Sequence, residues 1–212
     1  MKISFRKLVS ILEIDVPIHF TPEDELKRDN YVFCRFMGEA EKEAVLSGTH
    51  ELGIIYNEND VGLHLPDIDI ERYYELEKGR NPVAIRSVIS AISYRMRVCI
   101  SEIPLVYSIY CILHEYGHWL FFQNSGMTSY DYCKSEAEIR EKYVPLNKKI
   151  LNMPDCDPSK YLLAREFHEK IYSQFPSELA ANKYALENIE KSMKKTRDYL
   201  GYTELDLLHG NS

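Results

Sequence analysis

Apolar positions recur at helical spacing in several stretches of the chain. Phe5, Leu8, Val9 and Leu12 line one side of a short amphipathic helix that ends near Pro17. Thr21-Pro22-Glu23-Asp24 has the composition of a helix start: a capping hydroxyl, proline at the first position and acids in the first turn. Tyr31 to Met37 is rich in β-formers and reads equally as a continuation of that helix or as a strand. Glu51–Tyr56 and Val61–Leu65 are β-rich runs around Asn57-Glu-Asn-Asp60, the pattern of a hairpin and hence of a small antiparallel sheet.

Helical spacing returns after Pro66. Ile70 to Lys78 forms one helix closed by Gly79, and Asn81-Pro82 opens another with Ile85, Val88, Ile89 and Ile92 on one face. Pro104 begins a strongly apolar helix that runs to Phe122. Three prolines and several Asx residues between Pro145 and Pro158 predict irregular chain, within an insertion or lid around residues 124–160. Tyr161 to Tyr172 and Ser177 to about Leu200 are helical again, separated by Pro176. The expected fold class is α+β, mostly helical with a small antiparallel sheet. No linker or repeat divides residues 1–212, so one domain is expected.

Composition narrows the function classes. With 26 basic and 33 acidic residues, a net charge of −7 and no long basic run, direct nucleic-acid binding is not expected. No stretch has the apolar length of a membrane span, because the densest, Pro104 to Phe122, contains His114, Glu115 and His118. Glu13 and Asp15 interrupt the first apolar stretch, so no signal peptide is read there. Five cysteines without a C-x-x-C pair fit reduced thiols in a cytoplasmic protein better than a disulfide framework or a thiolate zinc site.

The chemistry concentrates in His114-Glu115-Tyr116-Gly117-His118. Two imidazoles at i and i+4 share one helix face about a turn apart, so one divalent ion, Zn2+ by this pattern, can touch both. Glu115 lies beside them and can act as general base on a water, while Gly117 allows close approach over the metal face. Histidines and a glutamate in so apolar a helix are costly without partners, and a metal supplies one.

A catalytic zinc site needs a third protein ligand. The HExxHxxGxxH arrangement fails, because Phe121 stands in place of its glycine and Asn124 in place of its histidine. Glu178 in Ser177-Glu-Leu-Ala-Ala-Asn182 is the leading choice, opening a helix after Pro176 with small residues that let a second helix approach. An acid in that position is also common for dipole reasons alone. Glu136, Glu138 and His168 are the rivals. Asn182, one turn beyond Glu178, is placed to hydrogen-bond the outer nitrogen of a ligand histidine. Tyr172 and His168 are candidate oxyanion donors near the third-ligand helix, with Tyr172 one of 16 tyrosines.

HEYGH followed by Glu178-Leu-Ala-Ala181-Asn182-Lys-Tyr184-Ala185 resembles the HExxH and E-x-x-A-N-x-[FY]-A signatures of ImmA/IrrE-type bacterial and phage metallopeptidases, within the gluzincin class. The resemblance covers residues 105–123 and 172–185. It implies a zincin-like fold with the small sheet packed on the metal helix, and cleavage of a regulatory protein or peptide. A zinc-bound protein that has lost catalysis and binds a partner peptide in the same cleft is the competing reading. Retention of Glu115 speaks against it.

Overall fold

The computed structural model describes residues 3–26, 31–36, 61–141, 171 and 173–201. Their elements run α1 (Phe5–Leu12), β1 (Ile18–Thr21), β2 (Phe33–Arg35), β3 (Gly62–Pro66), α2 (Ile70–Arg80), α3 (Pro82–Ser93), α4 (Ile103–Ser125), α5 (Ser129–Glu141) and α6 (Pro176–Leu200). Short 3-10 turns at Glu23–Glu25 and Ile100–Glu102 complete them. The described chain is therefore mostly helical with one small sheet. None of its helices is long and apolar enough to cross a membrane.

Local chemistry accounts for the helix ends. Ser4 caps α1 by accepting from the Lys7 N–H, and Glu13 closes it in the left-handed region at φ 56°. Asn81 accepts from the Ala84 N–H at the start of α3, with Pro82 at the first helical position. Gly79 does not end α2, which runs to Arg80 before Asn81 stops it. Residues 21–25 depart further from expectation. Thr21 ends a strand, its carbonyl accepting from the Asp67 N–H, and the acids after Pro22 form only one 3-10 turn. A strand pairing outweighs the local preference for a helix.

The sheet has the order β1-β3-β2 and is mixed, not antiparallel. β3 pairs with β1 in parallel, Ile18 opposite Leu63, and with β2 antiparallel, Phe33 opposite His64. The sequence reading missed β1, a four-residue strand set close behind Pro17 that lacks the length to advertise itself. The first arm of the expected hairpin, Glu51–Tyr56, and its turn lie outside the described residues. β3, the other arm, is buried along its whole length. Gly62 stands there at φ 134°, where an added Cβ would fall on the Pro17 carbonyl oxygen, so only glycine lets β3 come in beside the residue that precedes β1. One sheet face carries an in-register row of rings, His19 on His64 at 4.7 Å and His64 on Phe33 at 4.6 Å.

Contacts divide the chain into two compact units, one of residues 1–35, 62–119 and 181–212, the other of residues 36–61 and 120–180. The division passes through two continuous helices, α4 and α6. In the first unit Phe5, Leu8, Leu65, Ile70, Ile85, Ile92, Leu105, Ile109, Ile112, Ala185, Ile189 and Met193 form the core. Arg197 of α6 grips Glu102 with two bonds of 2.8 Å, a half-hidden pair that fixes α6 to the approach of α4. Among the described residues of the second unit, Tyr132 lies edge-on to Phe36 at 4.8 Å and to Phe122 at 5.1 Å.

Candidate metal centre

The helix α4 is apolar on most of its circumference, so its burial follows from sequence, and the HEYGH segment is carried into the interior with it. His118 is buried, while His114 and Glu115 are partly so. The spacing of four residues turns the two rings toward one another. Their Nε2 atoms stand 3.1 Å apart, with the ring planes at 89°. Two nitrogens about 2.0–2.1 Å from a tetrahedral ion would be separated by about 3.3 Å. The pair therefore already has nearly the bite an ion requires.

The third group arrives on α6. Pro176 occupies the first helical position and Glu178 falls in the first turn, buried to 3% exposure. Ligand atoms of His114, His118 and Glu178 all lie within 4.8 Å of one another. A buried carboxylate facing two imidazoles is costly in water-poor surroundings, and a cation offsets that cost. These three residues could hold a metal ion.

The approach of α6 depends on two small residues. A Cβ on Gly117 would meet the Ala181 Cα at 2.8 Å, the Ala181 carbonyl oxygen at 3.1 Å and the Tyr184 Cβ at 3.2 Å. Glycine at 117 thus permits the close approach of α4 to the segment of α6 that begins at Ala181. Tyr116 and Tyr184, edge to face at 5.6 Å, flank the same contact.

Glu115 is held from the sheet. The Cys34 N–H of β2 donates to Glu115 Oε2 at 2.8 Å. That amide is turned away from β3 and toward the helix. Asn182 sits one turn beyond Glu178, and its Oδ1 accepts from the Tyr110 hydroxyl at 2.6 Å. Tyr110 in turn lies against the His114 ring, centroids 5.9 Å apart and planes 25° from parallel. Further along α4, burial pushes the Cys111 thiol up to about 12, with the hydroxyls of Tyr73 and Tyr107 beside it. It is a packing residue in thiol form.

Among the described residues, neither Glu136 nor Glu138 joins the group of His114, His118 and Glu178. Glu136 accepts a hydrogen bond from Ser177 Oγ at 2.8 Å, and Glu138 is exposed on α5. His168 and Tyr172 lie outside the described residues, as does most of the expected insertion beyond Glu141. Sequence reasoning overlooked Cys34 and Tyr110. Cys34 acts through its backbone, which no side-chain pattern signals. Tyr110 could have been found, because it stands one turn before His114 on the same helical stripe.

No family model, no curated protein and no solved structure matches this chain.

Proposed function

We propose that this protein is a zinc-dependent metallopeptidase acting on a protein or peptide substrate. The observation that supports this reading is the convergence of His114, His118 and Glu178 beside Glu115, on the two helices that the sequence motifs pick out. Two imidazoles and one carboxylate suit zinc, and three protein ligands leave room for a further one, as catalytic sites require.

His114 and His118 would hold the ion through Nε2, and Glu178 through a carboxylate oxygen. When bound, the ion supplies a Lewis acid that polarises a carbonyl and makes a water more acidic. Glu115 takes the proton from the attacking water and passes it to the leaving amine, so the peptide C–N bond breaks as the new C–O bond forms. The Cys34 N–H anchors one oxygen of that carboxylate and so restricts where the other points. A zincin-like fold of gluzincin type and a regulatory protein as substrate belong to the same proposal, on the strength of the motif resemblance.

Elemental analysis of purified protein tests the metal, with about one zinc per chain expected. A chain purified without chelators that carries no divalent metal and takes up none on dialysis against zinc overturns the reading. Zinc uptake with peptide binding but no hydrolysis would replace the enzyme with the non-catalytic alternative.

A further inference from the structure

We propose that the bend joining α3 to α4 is a docking surface for membranes rich in anionic lipid: Arg86, Arg95 and Arg97 engage the headgroups while Tyr94 and Ile100 enter the interface. The proposal is independent of the metal-centre reading and concerns residues of the first compact unit alone.

Charge along the chain sets this bend apart. Residues 78–101 hold five of the 26 basic residues and none of the 33 acidic ones, so a protein of net charge −7 carries an acid-free cationic stretch. Several other arginines are matched to acids, Arg6 to Asp67, Arg72 to Glu23, Arg80 to Glu77 and Arg197 to Glu102. Arg86, Arg95 and Arg97 are exposed and make no ion pair with another described residue.

The same bend carries apolar tips. Tyr94 and Ile100 are 90% and 87% exposed, whereas Val83, Met127, Leu179 and Tyr199, the other exposed large apolar residues among those described, reach 55% at most. A single exposed apolar side chain needs no explanation. Two that stand almost wholly clear, joined by at most about 20 Å of chain and set among unpaired arginines, do.

Local structure presents these side chains. α3 buries Ile85 and Ile92, so the stripe of Arg86, Ser90 and Tyr94, at steps of four, faces outward. Past Tyr94 the Arg95 and Met96 N–H groups donate to the Ile92 carbonyl at 2.8 and 3.0 Å. Met96 and Val98 then pack against the core, and Arg95 and Arg97, alternating with them, stay exposed. The Cys99 N–H donates to Glu102 Oε2 at 3.3 Å, and Arg197 holds Glu102 in turn. The bend is thus fixed from inside, with its tips set before any partner arrives.

A second copy of the chain is a poor occupant, because a two-fold contact through this surface would set arginine against arginine. An acidic protein would match the arginines but would need pockets for two separate projecting side chains. A lipid surface meets both demands. Anionic headgroups supply the opposite charge, a tyrosine ring rests at headgroup level, and an isoleucine clear of its neighbours sinks into the acyl boundary without a pocket.

Co-sedimentation of the full chain with vesicles tests this, comparing phosphatidylcholine alone with phosphatidylcholine mixed with phosphatidylserine. Binding is expected to the mixed vesicles only and should weaken as salt rises. Arg95→Gln and Arg97→Gln should each weaken it about fivefold, and Tyr94→Ser and Ile100→Ser each about tenfold. Lys134→Gln, which removes an exposed charge on α5, should change nothing. Thermal melting checks that each variant folds, and the arginine variants carry the test if the Tyr94 or Ile100 variant does not. In Tyr94→Trp, lipids with brominated tails should quench emission beyond the quenching of Trp119, the lone tryptophan of the wild type.

No binding to mixed vesicles at low salt overturns the proposal. Equal losses for Lys134→Gln and the arginine variants overturn it as well, since net charge and not this surface would then govern binding. Binding of polyglutamate or a nucleic acid through Arg95 and Arg97, with none to the mixed vesicles, puts an acidic macromolecule in place of the lipid. Vesicle binding without added quenching in Tyr94→Trp overturns the entry of Tyr94 into the interface.

Discussion

His114 and His118 meet because a helix returns to the same face after four residues, and their nitrogens need move only slightly to share an ion. Removing either ring should abolish zinc retention, and Glu178→Ala should weaken binding by orders of magnitude, since it removes the anionic member of the set. Exposed Glu138→Ala should leave binding unchanged. Chelator competition under one condition ranks all four, and full occupancy in either histidine variant would reject the site. Glu115→Gln is expected to keep its zinc while losing hydrolysis of a verified substrate, because the residue works on water; undiminished turnover would reject it as the base. At this scale the three residues that could hold a metal were readable from sequence, because each is a side chain in a helix whose period is known. Tyr110 was lost among 16 tyrosines. The contribution of Cys34 is a backbone N–H on a strand, and every residue except proline has one.

Between elements, the controlling contact is that of Gly117 with Ala181. Gly117→Ala puts a methyl 2.8 Å from a backbone carbon that cannot rotate aside, so α4 and α6 must shift. Overpacking of this kind costs about 1–3 kcal/mol. Urea denaturation of the metal-free variant should show a loss in that range, accompanied by weaker zinc binding as the ligands are drawn apart. Unchanged stability and affinity together would mean the contact is soft. The long helices were legible, since their apolar stripes extend over several turns and Asn81-Pro82 and Pro176 mark starts. The sheet was legible only in part. β1 and β2 hold four and three residues, too few to display a period, and their pairing with β3 is decided by residues remote in sequence. Tertiary pairing therefore determined what Thr21-Pro22 would do.

For the whole molecule, one buried acid gives stability a dependence on pH. Burial raises the Glu77 carboxyl above its ordinary range, against the opposing pull of Arg80 at 2.8 Å. A carboxyl shifted upward in the folded state binds its proton more tightly there than in the unfolded chain. Its favourable contribution is complete below the unfolded value and is lost as pH rises through the folded value. The stability of wild type relative to Glu77→Gln should therefore fall as pH rises from the ordinary carboxylate range, measured by urea denaturation across the series. An opposite slope would mean that Arg80 dominates.

The bond between Cys34 and Glu115 also bears on how copies of the chain treat one another. Among the described residues β2 is an outer strand, and outer strands with exposed amides recruit strands from other molecules. Here the outward amide meets a carboxylate from the molecule's own helix, and the strand is only three residues long. Glutamine at 115 still offers a carbonyl oxygen to that amide, whereas alanine offers nothing. Concentrated solutions of Glu115→Gln should stay clear, and Glu115→Ala should scatter light and bind thioflavin sooner on storage; equal behaviour would show that the strand's shortness is protection enough. The group assigned to chemistry would then also keep the sheet from growing past its own boundary.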